Sequence, residues 1–201
     1  MTGTGIVLAS ASQARSRMLE QAGIAIRRCP VVIDEAAVRT AMIAEGAGAD
    51  EIAASLADMK AQRALPRAGE EAFIIAADQT LACAGRLLEK PANRDEAREQ
   101  LLFLRGREHR LFSAVCLMRG GRFVWRHLDT ARLTMRAFSD AFLEAYLDRA
   151  DDALTTSVGA YRLEEVGAQL FARIDGDFFT ILGLPLLPLL DILRENGVLR
   201  K

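Results

Sequence analysis

Lysine is nearly missing from this chain. Of 26 cationic side chains only three are lysine, Lys60, Lys90 and Lys201, which leaves 23 arginines. Histidine is scarcer still, with only His109 and His127, so an imidazole-built zinc centre or a Ser/His/Asp triad has little to draw on. Three cysteines, Cys29, Cys83 and Cys116, are odd in number and far apart. They exclude a disulfide framework and a CxxC metal or redox pair, and read as buried thiols in a reducing compartment. No apolar run approaches the ~20 residues that span a bilayer. Met1 to Gly5 shows no basic stretch leading into an apolar region, so a soluble, cytoplasmic protein is expected. Neither GxGxxG nor GxxxxGK(S/T) occurs, which disfavours dinucleotide-binding and P-loop folds. Carboxylates, lysines and a hard metal are left as the means of any catalysis.

What the chain does have is an ordinary globular balance: 201 residues, 51% hydrophobic, with 27 carboxylates against the 26 cations. That composition excludes disorder, and a net charge of −1 without a cationic stripe argues against a nucleic-acid polymer as partner. The length fits a single domain, residues 1–201, or two tightly joined lobes. Strand-like and helix-like segments alternate without a repeat or linker. Ile6 to Ala9 reads as a strand, followed by a Ser-rich turn and a helix that Gly23 stops. Ile24 to Ile33 reads as a second strand ending at Asp34 and Glu35. Helical periodicity follows over Ala36 to Glu45 and over Asp50 to Leu65, the latter with Asp50 as N-cap. Phe73 to Ala77 is an apolar strand ending at Asp78, and Leu81 to Leu88 a hairpin turning at Ala84, Gly85 and Arg86. Arg94 to Leu104 is helical. His109 to Met118 and Arg122 to Met135 flank Gly120-Gly121, a two-residue hairpin turn, with Arg105 to Arg110 leading in as a solvated loop. Ser139 caps a helix through Leu147. Strands are expected near Gln169 to Ile174 and Phe179 to Leu182, then a turn over Gly183 to Pro185 and a closing helix ending near Gly197. Hairpins interleaved with helices imply an α/β fold with a mixed sheet.

Candidate chemistry gathers at a few of these junctions. Ser10 and Ser12, with Arg15 shortly after, put hydroxyls, backbone N–H groups and a guanidinium at a helix start behind a strand, which favours an anion; a plain serine N-cap accounts for the same residues. Asp78 is placed to emerge from the carboxyl end of its strand into a cleft. Lys60 on the preceding helix, Lys90 before Pro91 and Glu35 complete two compact cations and two carboxylates. Compact ammonium groups serve phosphate oxygens, and paired carboxylates suit a hard cation that keeps its waters. The combination points to a site for a triphosphate and a metal.

Those residues fall in segments that resemble the Maf-like nucleotide pyrophosphatases along nearly the whole chain: Leu8-Ala9-Ser10-Ala11-Ser12, Ala76-Ala77-Asp78, Glu89-Lys90-Pro91, Gly159-Ala160-Tyr161 and Gly183-Leu184-Pro185-Leu186, in the family's order. The resemblance implies hydrolysis of nucleoside triphosphates between the α and β phosphates, to a monophosphate and pyrophosphate, with Mg²⁺ or Mn²⁺, in a house-cleaning role. It implies a Maf/ITPase-like α/β fold, a two-lobed mixed sheet flanked by helices with a central cleft, often a homodimer. By the motif match the catalytic acid falls on Asp78, the family's lysines on Lys60 and Lys90, and phosphate binding on Ser10 and Arg15.

The departures are informative. Most members carry Pro-Arg-Arg after the second serine, where this chain has Gln13-Ala14-Arg15; most have Asp-Thr in place of Asp78-Gln79, and Gln in place of Glu164. Gln79 and Glu164 resemble the subgroup that acts on 7-methyl-GTP, whereas that subgroup has an aromatic residue in place of Ala14. Chemically, a carboxylate such as Glu164 can accept from the adjacent ring N–H and amine of guanine, and methylation at the seven position adds positive charge. The mechanism expected is in-line attack of water at the α-phosphorus. Asp78 would hold the metal or deprotonate its water, and Glu35 would complete the metal site or orient the water. Lys60, Lys90 and Arg15 would offset charge on the phosphates. Two other readings remain open: a dTTP- or UTP-directed pyrophosphatase, and a nucleotide-sensing regulator of cell division with incidental hydrolysis.

Overall fold

The computed structural model describes residues 5–200, so the readings made on Met1 and on Lys201 lie outside the described residues. The elements begin with β1 (Ile6–Leu8), α1 (Gln13–Gln21), β2 (Ile26–Arg28), α2 (Glu35–Ala44), α3 (Ala49–Ala68), β3 (Phe73–Cys83) and β4 (Arg86–Leu88). They continue with α4 (Arg94–Leu104), β5 (Glu108–Arg119), β6 (Arg122–Met135), α5 (Asp140–Arg149) and α6 (Ala153–Thr156). The last are β7 (Phe171–Asp175), α7 (Phe178–Ile181) and α8 (Leu186–Glu195). The strands form one mixed sheet in the order β2-β1-β3-β5-β6-β7, with β4 paired to β3. A mixed α/β architecture is therefore what the chain adopts. By contacts it divides into two compact units, one comprising the chain through Gln79, Ser113–Asp129 and the part from Phe178, the other Thr80–Phe112 and Thr130–Asp177.

In the first unit β1 pairs in parallel with both β2 and β3, with Leu8 opposite Ile75 as the last pair to β3. One face of these strands buries Ile6, Leu8, Phe73, Ile75 and Ala77 together with Met18 and Leu19 of α1 and Leu189 and Leu193 of α8. The alternating residues Ile74, Ala76 and Asp78 share the opposite face, and Lys60 of α3, which contacts Asp78, lies there. The buried stripe of α3 runs Ile52, Leu56, Lys60, Ala64, one residue per turn.

Several expected boundaries shift. The second strand is three residues long instead of running from Ile24 to Ile33: Cys29 N–H still reaches the Leu8 carbonyl at 2.9 Å, but Pro30 has no N–H to continue the ladder. Glu35 opens α2 behind the N-cap Asp34 and does not end a strand. Helix α3 starts earlier, with Gly48 as N-cap in place of Asp50, because the Glu51 carboxylate folds back to accept the Gly48 N–H at 2.8 Å. Strand β3 does not stop at Asp78 but runs on to Cys83. Residues 178–181 form one helical turn instead of a strand, closed by Leu182 N–H to the Phe178 carbonyl at 3.2 Å and Leu184 N–H to Phe179 at 3.1 Å; a four-residue apolar run carries no period that separates the two. Strand β5 opens at Glu108, one residue before the expected His109, so the last part of the loop expected over Arg105 to Arg110 belongs to it.

In the second unit α4 and α5 hold the bounds their caps dictate: Asn93 accepts from Glu96 N–H at 2.9 Å and Ser139 from Phe142 N–H at 3.2 Å. Between α6 and β7 the chain makes tight turns over Gly159-Ala160-Tyr161, with Gly159 and Ala160 both at positive φ, 81° and 58°. A Cβ on Gly159 would come within 2.6 Å of the Tyr161 ring, so only glycine fits. The Tyr146 hydroxyl donates to the Ala160 carbonyl at 2.8 Å, and Tyr161 meets His109 Nε2 at 2.9 Å. This motif thus makes a buried packing knot. All three cysteines are buried and unbridged, as expected.

Burial pulls the His109 imidazole down to about 4. The unfolded chain, with an ordinary value of ~6.5, takes up the proton first as pH falls, so stability is full above that value and declines toward pH 4, by up to about 3 kcal/mol. Urea unfolding across this window should show a shallower loss for His109→Gln than for the wild type; parallel curves would refute the assignment.

Candidate active site

The first unit contains eight of the residues singled out by sequence, Ser10, Ser12, Ala14, Arg15, Glu35, Lys60, Asp78 and Gln79. Ser10 and Ser12 follow β1. Ser12 caps α1 by accepting the Arg15 N–H at 3.3 Å, and its own N–H donates to Ser10 Oγ at 3.1 Å. Arg15 is buried beneath this turn: its Nε donates to the Gly183 carbonyl at 2.8 Å, and Nη1 to the Ala77 carbonyl at 2.9 Å and Ser10 Oγ at 3.4 Å. Burial lowers the Arg15 guanidinium below its ordinary range, while the charges of Asp78 and Glu35 act in the opposite direction. Two of its three nitrogens are therefore committed to holding backbone in place. Ala14 is half-buried on the same helix.

Asp78 is buried although it sits inside β3, three residues past Ile75, the last position that pairs with β1. The parallel ladder ends before it, and the carboxylate gains the place that a strand end would have given. Lys60, 8% exposed, contacts Asp78 Oδ1 and lies 2.7 Å from Glu35 Oε1. Arg39, one turn further along α2, stands 3.4 Å from Glu35 Oε2. Asp78 Oδ2 is buried without a hydrogen-bond partner. A buried acceptor left unpaired costs about 1–3 kcal/mol, so it marks the place of a missing donor or cation.

Gln79, the next residue, turns the other way and is half-buried. Its Nε2 donates to Ser113 Oγ at 2.8 Å and to the Thr180 and Ile181 carbonyls, each at 3.1 Å. Ser113 Oγ in turn donates to the Thr180 carbonyl at 2.7 Å, and Thr180 Oγ1 to Asp129 Oδ2 at 2.7 Å. The amide is thereby tied to α7, and its Oε1 is the atom left for other contacts. Lys90 and Glu164 belong to the second unit, where both are exposed; Glu164 lies beside the Arg162–Glu165 ion pair of 3.1 Å.

Sequence reading missed Arg28, Arg39 and the Ser113–Thr180–Asp129 chain. Arg28 Nη2 donates to the Ala11 carbonyl at 2.9 Å and so adds a cation to the serine turn. The spacing of Glu35 and Arg39, four apart on a helix, was a usable signal; nothing in the spacing of Ser113, Asp129 and Thr180 was.

The donors also bear on a metal. Among the described residues no three His, Cys, Asp or Glu side chains converge on one point. Two carboxylates with an unpaired buried oxygen nonetheless fit a hard divalent ion, which takes one or two protein carboxylates and draws its other ligands from water and phosphate. No helix among the described residues is long and apolar enough to cross a membrane.

A family model described as "Maf-like protein" matches residues 5–196. The chain belongs to the Maf-like protein family. A "Nucleoside triphosphate pyrophosphatase" of Paramagnetospirillum magneticum is 54% identical over 193 residues, 96% of this Maf-like chain and 99% of the relative. One of the same name from Caulobacter vibrioides is 47% identical over 99% of both chains. A "7-methyl-GTP pyrophosphatase" of Rhizobium meliloti is 45% identical over 96% of this chain and 97% of its own length.

Gly183 of the Maf-like motif has a physical reason: its φ is +94°, and a Cβ there would lie 3.3 Å from Arg15 Nη2. Gly183→Ala should lower stability by about 1–2 kcal/mol, read as a fall in the thermal midpoint, and an unchanged midpoint would show that the Arg15 contact tolerates movement.

Proposed function

We propose that this chain is a nucleoside triphosphate pyrophosphatase that cleaves between the α and β phosphates, giving a monophosphate and pyrophosphate. The observation that carries the reading is the carboxylate–ammonium–carboxylate array of buried Asp78, buried Lys60 and half-buried Glu35, with an unpaired Asp78 oxygen, beside a serine turn underlain by Arg15. Relatives near half identity that carry this activity in their names support it.

In this proposal Asp78 and Glu35 would hold a divalent ion, Mg²⁺ or Mn²⁺. Such an ion, when bound, neutralises phosphate charge and makes water more acidic. The rest falls to the chain itself. The Ser10–Ser12 turn offers N–H and hydroxyl groups to phosphate oxygens at the start of α1. Lys60 exchanges a carboxylate for a phosphate oxygen, and its compact ammonium follows the charge that develops in the transition state. Arg15 and Arg28 keep the turn in shape and positive. Lys90 keeps the role the family pattern gives it, countering charge on departing pyrophosphate.

For the base we propose a guanine-like one, with 7-methyl-GTP as first candidate. Glu164 is exposed, with a carboxylate able to accept two adjacent donors, and one full-length relative bears that name. Gln79 acts here by the shape it gives to β3 and α7, since its amide nitrogen is engaged.

Asp78→Asn should cut pyrophosphate release by about 10²–10³-fold while thermal unfolding stays cooperative; unchanged turnover would refute the catalytic assignment. Lys60→Arg and Lys90→Arg keep charge but not shape, and each should cost on the order of tenfold or more in kcat. A panel of 7-methyl-GTP, GTP, dTTP and UTP, read by pyrophosphate release, tests the base. A preference for dTTP or UTP would overturn the guanine reading, and tight binding with sub-stoichiometric release would point to a sensor.

A further inference from the structure

We infer that Lys60 is a built-in counter-ion that keeps divalent metal out of the free site, so that the ion arrives with the triphosphate. The inference rests on the proposed function for its nucleotide half only. Without a ligand, the charges of Asp78 and Glu35 are already met by the Lys60 ammonium, which touches one oxygen of each. Arg39 adds a second cation to Glu35, and Arg15 lies close enough for its basicity to register both carboxylates. The cluster therefore carries three cationic side chains against two carboxylates before any metal enters. A dication held by those carboxylates would stand against a buried ammonium, where repulsion is less screened than in water. Yet Asp78 Oδ2, more than nine-tenths buried with the rest of its side chain and lacking a partner, is a ligand atom in waiting.

These two facts fit together if the metal comes bound to a polyanion. Phosphate oxygens supply both the negative charge that makes room for a second cation and the ligands that two carboxylates cannot. Lys60 then leaves a carboxylate for phosphate and vacates the place. The shortage of protein ligands and the presence of the lysine have one cause: the site is built for a metal–triphosphate complex and not for the metal alone.

The test uses Mn²⁺ alone, followed by its electron paramagnetic resonance signal, on the full chain without nucleotide. Lys60→Gln, neutral and of similar length, should bind Mn²⁺ at least about tenfold more tightly than the wild type, whereas the charge-keeping Lys60→Arg should not. Adding Asp78→Asn to Lys60→Gln should remove the gain. Wild-type protein should bind Mn²⁺ tightly once a non-hydrolysable α,β-methylene triphosphate is present. Because Lys60→Gln takes the ammonium away from Asp78 and leaves Glu35 to Arg39, its thermal midpoint is read as well, and Mn²⁺ should raise it more than that of the wild type. Equal Mn²⁺ affinity and equal midpoint shifts in wild type and Lys60→Gln would overturn the inference, as would a gain that survives the loss of Asp78. Failure of wild-type protein to release pyrophosphate would count against the proposed function and leave the Mn²⁺ comparison standing.

Discussion

The ammonium of Lys60, held between Asp78 and Glu35, is the interaction on which the rest of the first unit depends. Two of the three charges sit where an apolar side chain would ordinarily be. Lys60 occupies the buried stripe of α3, in line with Ile52 and Leu56, and Asp78 occupies the face of β3 that carries Ile74 and Ala76. Taking such groups from water is costly, and their mutual attraction does little more than offset that cost. Removing one partner is a different matter, at about 3–5 kcal/mol, because it strands a buried charge. A triad of this kind adds little to stability and constrains the chain strongly. The first turn of α2, the middle of α3 and the point where β3 outruns β1 must meet at one place.

Around that point the polar groups divide by task. Arg15 is spent on carbonyls of Ala77 and Gly183, so it joins the serine turn, β3 and the entry to α8. Gln79 fastens β3 to α7 from the side opposite Asp78. Two adjacent residues on one strand thus face opposite ways, Asp78 toward Lys60 and Gln79 toward α7, as the two-residue period of a strand requires. The division separates groups tied to backbone from those with a polar atom left unpaired. Asp78 Oδ2 is the clearest member of the second set.

The sequence bias toward arginine gains a physical meaning here. Arginines on this protein's surface form exposed pairs such as Arg94–Asp148 and Arg132–Asp175, each at 2.7 Å, of the kind that contributes about 0–1 kcal/mol. Lys60 is unlike them: it is buried, and its point charge meets carboxylates from two different elements, Glu35 of α2 and Asp78 of β3. Lys90 differs again in being exposed, in the second unit.

Much of this was legible in the residues. Caps and glycines set helices α4 and α5 and the hairpin at Gly120-Gly121, because local hydrogen bonds and positive φ are decided by neighbours in the chain. Periodicity could show Lys60 and Asp78 on core-facing positions, since strand and helix periods are local properties too. What the chain could not show was its partners across space. That Gln79 spends its amide on α7 follows from contacts between residues 101 and 102 positions apart. The sequence by itself determined the α/β class and the chemical types at the site. Only the tertiary structure decided that one ammonium would join two carboxylates and leave a single oxygen unpaired, because burial, which makes such a group costly, exists only once the segments have packed.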